Sequence, residues 1–276
     1  MRANRSPGRR ALLPGLAALC LCGAAALPAR AAEALATKGP HGVFVLHHSR
    51  AAAAEVPQYA DFLAAGVAAN EAFFHVRYPS AFAVYVEDDR PSLDARLKQA
   101  FKDPAFASPC WLAAIGEADG VYMLSPVRWA AETCEGRYTT YADKAKTRRL
   151  FTHELTHVLN DQILKAHGGR LDTDDIAWFR EGLAMLVAGQ LGADERAQIR
   201  AALKAGRVPT TLQGINDLSD VALRYDLMGS LVAYIDHTYG RRTLQALLAV
   251  DNQAAILSRL SVSEAALLEG WRGFAR

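Results

Sequence analysis

The chain has 276 residues, 51% hydrophobic and 22% charged, enough apolar material for a real core and too much for wholesale disorder. Its first 31 residues hold five arginines and no acid, and without them the 31 basic side chains fall to 26 against 29 acidic, a net charge of −3. A slightly acidic body argues against nucleic acid as the main partner. The length fits one large domain or two small ones.

The N-terminus reads as a targeting signal. A basic opening, MRANRSPGRR, precedes a 16-residue apolar stretch, and Ala29-Arg30-Ala31 supplies a small-x-small cleavage pattern. This is the pattern of a secretory signal peptide over residues 1–31, cut after Ala31 or Ala32. The run is short for a bilayer span and Pro14 interrupts it, which argues against a lasting anchor. The expectation is a periplasmic or secreted protein without a stable membrane span after signal removal. Residues 32–42 read as a short disordered leader. Export gives Cys110 and Cys134 a natural reading as one disulfide, closing a loop of about 25 residues.

Residues 32–276 are expected to form a single domain. Val43 to Leu46 reads as a short strand, and the alanine-rich stretch from Ala51 to about His75 as a helix whose first turn Pro57 marks. Phe82 to Val86 is a second strand, followed by a short helix over Leu93 to Phe101. An irregular region surrounds Cys110, and Val121 to Leu124 is a third strand. From about residue 141 the pattern turns helical. Helices are expected over Lys144 to Leu164, Asp174 to Leu191, Asp194 to Ala205, Leu223 to Tyr239 and Thr243 to Val250. Asp172, Thr173 and Asp174 are candidate caps for the second of these. A last helix starts at Ser261-Val262-Ser263-Glu264, a capping-box pattern. Strands first and helices after give an α+β class: a small N-terminal sheet backed by helices (about 40–135), then a mostly helical half (about 140–276).

The informative residues are His153-Glu154-Leu155-Thr156-His157. On a helix, positions i and i+4 share a face, so both imidazoles can aim at one ion. Zinc accepts two such nitrogens as corners of a tetrahedron. Glu154, beside the first ligand, can reach a water at the metal and act as its base. A catalytic zinc needs a third protein ligand. Asn160 and Ile163 stand where one branch of these hydrolases has Gly and His, so that branch is excluded. Glu181, with 23 residues between it and His157, stands in Trp178-Phe179-Arg180-Glu181-Gly182-Leu183-Ala184 and is the candidate from a following helix. Its apolar neighbours make an unpaired carboxylate costly there, and Gly182 allows close helix packing. The remaining six histidines read as surface or core residues, and Asp161 and Asp226, placed where a hydrogen-bond partner of the ligand histidines could stand, read as solvated helix residues.

With these motifs the chain resembles the gluzincin zinc metallopeptidases, in particular the bacterial peptidase MA-like proteins. The resemblance extends to Tyr225-Asp226-Leu227-Met228-Gly229-Ser230, with Tyr234 and Gly240 following. It implies a thermolysin- or aminopeptidase-like catalytic half, Zn2+ as cofactor, a peptide or protein substrate, and Tyr225 as hydrogen-bond donor to the oxyanion. The Gly-x-Met-Glu-Asn stretch with which the aminopeptidases hold a free amino terminus is missing. Gly120 to Ser125 stands in its place and is expected to be an edge strand that pairs with an extended peptide, which favours an endopeptidase. The alternatives are a non-catalytic binding or assembly module on a zinc fold, and a zinc hydrolase of cell-wall amides.

Overall fold

The computed structural model describes residues 35–39, 42–134, 141–171 and 173–276; the signal segment, His41 and Asp172 lie outside them. The fold is α+β. A five-stranded mixed sheet occupies the N-terminal part, in the order β1 (Leu35–Lys38), β2 (Phe44–His48), β3 (Phe82–Glu87), β5 (Gly120–Leu124), β4 (Ala114–Glu117). β2, β3 and β5 are parallel, while β1 and β4 run antiparallel at the two edges. Alternation puts Phe44, Leu46, Phe82 and Val84 into one core. Helix α1 (Val56–Phe74) contributes Tyr59 and Leu63 to that core, and α2 (Arg90–Phe101) contributes Leu93 and Leu97. Pro57 sits in the first turn of α1, and the Asp89 side chain caps α2 by accepting from the Ser92 N–H at 2.8 Å.

After the four-residue α3 (Trp129–Glu132), the chain enters α4 (Lys144–Ala166), which Asp143 caps. Fifteen of the 23 residues of α4 are buried, so it is a central helix rather than an amphipathic one. Phe151, Leu155 and Val158 belong to the sheet-side core, whereas Leu159 joins the core of the helical half. The buried polar side chains of α4 are spent on neighbours: Asn160 donates to the Leu248 carbonyl, and Gln162 donates to the Ala118 carbonyl.

The helical half continues with α5 (Ala177–Val187), α6 (Ala193–Lys204), α7 (Leu212–Asn216), α8 (Val221–Tyr239), α9 (Arg241–Leu247), α10 (Gln253–Leu260) and α11 (Glu264–Ala275). α5 and α8 cross closely at Gly182. A Cβ there would stand 2.3 Å from the Met228 carbonyl oxygen and 2.6 Å from a Val232 methyl. Ala32–Arg276 form one compact unit. No described helix is long and apolar enough to cross a membrane.

Several expectations are corrected. The leader contains β1, which pairs with β2. The irregular region after Cys110 contains β4, so β5 is an inner strand and the sheet edge is β4. α5 is entered through a 3-10 turn over Asp174–Ile176 with no side-chain cap; Asp175 instead accepts from the Gln253 N–H at the start of α10. The capping box at Ser261 does not form. Ser261 ends α10 in the left-handed region, Ser263 caps α11, and the Glu264 carboxylate accepts from the Leu212 N–H.

Candidate metal centre

α4 carries His153 and His157 one turn apart, and α5 brings Glu181 across to them. His153 Nε2 lies 3.2 Å from His157 Nε2 and 3.2 Å from Glu181 Oε2; the third side, His157 to Glu181, is 3.4 Å. Tetrahedral zinc with bonds of about 2.0–2.1 Å requires ligand–ligand edges of roughly 3.3–3.4 Å. Three donors from two helices therefore form a near-equilateral triangle of the right size, and the group could hold a metal ion. Two histidines are buried and the carboxylate is partly so, which corrects any picture of Glu181 as a solvated helix residue. Two imidazoles and one carboxylate are donors that suit a divalent metal ion.

The electrostatics follow from this crowding. Burial alone would raise the Glu181 carboxyl, but the His157 and His153 imidazoles win and hold it well below the usual range. Burial would lower His157, and the Glu181 carboxylate reverses that, keeping the imidazole above its ordinary value. Glu154, 5% exposed, is pushed up by burial, against the pull of both histidines.

Neighbouring groups orient the donors. His153 Nδ1 donates to Gln190 Oε1 at 2.8 Å, which leaves the Nε2 lone pair aimed into the triangle. Asp161, one turn beyond His157, is fully buried and pairs with Arg180, the residue before Glu181, at 2.5 Å. Arg180 also donates to Thr173 Oγ1. The pair ties the two ligand-bearing helices together beside the triangle. Burial raises the Asp161 carboxyl, and Arg180 opposes the rise. Both Asp161 and Asp226 are buried, so neither is the solvated residue expected from the sequence.

Sheet and triangle meet at Gly116 on β4. A Cβ there would lie 2.2 Å from the Glu154 carbonyl oxygen and 3.1 Å from His157 Cβ; only glycine lets the edge strand come this close. The Gly116 N–H also stabilises the Glu154 carboxylate.

One corner of the triangle, His153, lines a cleft of about 370 Å3 together with Glu154, Tyr225, Gln190, Ser219 and apolar side chains from four parts of the chain. The Tyr225 ring stands 6.3 Å from the His153 ring, centre to centre. Tyr234, nine residues on, faces the other way and packs its hydroxyl against Gly270 of α11. One wall comes from the turn at Cys110, which is disulfide-bonded to Cys134 with a Cα–Cα distance of 5.3 Å. A loop of about 25 residues closed in this way gains on the order of 3 kcal/mol. The Arg90 guanidinium grips both ends of the loop, donating to the carbonyls of Pro109, Cys110 and Glu132 and to Ser108 Oγ.

The sequence named the three residues of the triangle and the cleft-lining Glu154 and Tyr225, and did not point to Gln190 or Gly116. Gly-in-strand was the only local signal for Gly116; a glutamine beyond a helix end carries none. The chain matches no protein-family model and no curated protein.

Proposed function

We propose that the protein is an exported zinc metallopeptidase of gluzincin type, acting as an endopeptidase on extended polypeptide. The observation that carries this reading is the triangle of His153, His157 and Glu181 donors, with edges of 3.2–3.4 Å, whose His153 lines a cleft together with Glu154 and Tyr225. Zinc bound there supplies Lewis acidity and lowers the pKa of water to about 7.

The chain's own groups do the rest. Glu154 accepts a proton from the water that attacks the scissile carbonyl and returns it to the departing amine. Its raised affinity for protons suits both halves of that task. Tyr225 donates to the oxyanion. The substrate backbone pairs with β4, the edge strand. The Leu124 N–H donates to the Ala113 carbonyl at 2.9 Å, so Ala113 turns its backbone groups to β5 and Ala114 turns its own away. Ala113 and Ala114 both line the cleft, which suits strand addition by a peptide. The signal-like N-terminus and the Cys110–Cys134 disulfide support export.

Glu154→Gln is the test. It should keep one metal per chain and lose chelator-sensitive hydrolysis of unfolded protein such as casein. A Glu154→Gln protein that cleaves casein at the wild-type rate contradicts the assignment. Wild-type protein that spares casein but opens peptidoglycan fragments moves the substrate to cell-wall amides.

A further inference from the structure

The chain has four tryptophans, and three of them are spent on the core. Trp129, Trp178 and Trp271 are fully buried. Their indole N–H groups donate to the Leu124 carbonyl, to Gln253 Oε1 and to Ser230 Oγ. Trp111 differs in every respect. It is 40% exposed, and among the described residues it has neither a ring partner nor a hydrogen bond for its N–H. It lines the same cleft as His153 and Glu154, together with Leu150, Met185, Val221 and Ala222.

An exposed indole on a mobile loop would mean little. This one stands on a turn fixed from three sides. The Leu112 N–H closes the turn on the Pro109 carbonyl at 2.9 Å, Cys110 is covalently bound to Cys134, and Arg90 holds the Pro109 and Cys110 carbonyls at 3.0 Å each. Holding a large apolar side chain in water without a contact costs free energy. Fixing it there in advance lowers the entropy cost of a later contact.

We propose that Trp111 is a substrate-binding residue that sets specificity: its ring takes a large apolar side chain, aromatic above aliphatic, of a peptide lying along β4. The occupant follows from the walls, since Leu112, Leu150, Met185, Val221 and Ala222 make them mainly apolar, with Ser219 and Gln190 the polar exceptions away from the His153 and Glu154 end, and a ring packs on indole better than an alkyl chain does. The Cys110–Cys134 bond and Arg90 act as positioning groups for the turn. The assignment of the occupant rests on the peptidase reading.

The test uses the mature, zinc-loaded chain and blocked fluorogenic peptides that differ only in carrying Phe, Leu or Ala at each scanned position. Trp111→Ala should raise KM for the preferred Phe peptide about tenfold, with kcat, metal content and KM for its Ala counterpart unchanged. Trp111→Phe should restore most of the loss, and Cys110→Ser/Cys134→Ser should raise KM in the same peptide-selective way. A Trp111→Ala enzyme that keeps the wild-type ratio of KM values overturns the proposal. Binding is read separately in the Glu154→Gln background, where the same Phe peptide should change the tryptophan emission and fail to do so when Trp111 is Phe. Emission that titrates in Glu154→Gln while the zinc-loaded wild-type chain cleaves no peptide leaves Trp111 standing and removes the peptidase reading. Cleavage with neither a KM effect nor an emission change does the reverse.

Discussion

Gly116→Ala separates the placement of the catalytic machinery from the binding of metal. The new methyl would lie 2.2 Å from the Glu154 carbonyl oxygen and 3.0 Å from its carbon. An ordinary carbon–oxygen contact is about 3.3–3.6 Å, so the strand must retreat from α4 by roughly 1 Å. Both atoms belong to backbone, so no side-chain rotation relieves the clash. Overpacking of this kind costs about 1–3 kcal/mol, and at about 2–4 °C per kcal/mol the melting temperature falls by about 2–12 °C. The retreat moves the edge strand away from Glu154, and a misplacement of about 1 Å costs on the order of 100-fold in rate. His153, His157 and Glu181 come from α4 and α5, not from β4, and the same retreat clears the 3.1 Å approach of the new methyl to His157 Cβ, so metal content should hold at the wild-type level. The assay is kcat/KM on a peptide substrate, measured well below the melting temperature and normalised to bound metal. A Gly116→Ala enzyme with wild-type kcat/KM would refute the claim that strand-to-helix spacing governs catalysis.

Three further perturbations test the surroundings. Gln190→Ala removes the acceptor that orients His153 and should weaken metal binding about 10–100-fold, read by competition with a chelator; unchanged affinity would remove Gln190 from the account. Arg180→Ala strands the fully buried Asp161 and should cost about 3–5 kcal/mol in urea unfolding, with the paired Asp161→Leu/Arg180→Leu variant recovering part of it. Asp89→Ala should cost about 1 kcal/mol at neutral pH through loss of the α2 cap. The Ser92 hydroxyl and N–H hold the Asp89 carboxyl below its ordinary value, so this contribution is complete above the unfolded value near 3.9 and disappears as pH falls through the lower folded value. Wild type and variant should therefore converge in stability as pH falls below the unfolded value, and a constant gap would contradict the cap as its source.

The parts legible in the sequence are those with a strong local period or a fixed spacing. α4 and α8 were bounded to within two residues at each end, and His153 and His157 meet because one helical turn brings them together. Glu181 was legible because a carboxylate sat among apolar neighbours on the next helix. β1 and β4 were not, since four residues such as Ala-Ile-Gly-Glu carry little strand preference; pairing with β5 across the Ala118-Asp119 turn makes β4 a strand. Missing β4 turned β5 into an apparent edge. The capping residues near 172–175 and 261–264 were misassigned for a different reason: Asp175 and Glu264 found N–H donors on distant helices, and tertiary partners outcompete local ones. Asp161 looked solvated because charge was weighed without Arg180, whose approach across 19 positions of sequence no local pattern announces.

The most direct measurement is the metal content of the purified mature chain, by elemental analysis, beside single variants of each proposed ligand. The account predicts about one zinc per wild-type chain, bound through two imidazoles and one carboxylate, and loss of that zinc in His153→Ala, His157→Ala and Glu181→Ala. Full zinc occupancy in any of the three, or a wild-type chain that binds none when supplied with it, would contradict the account at its centre.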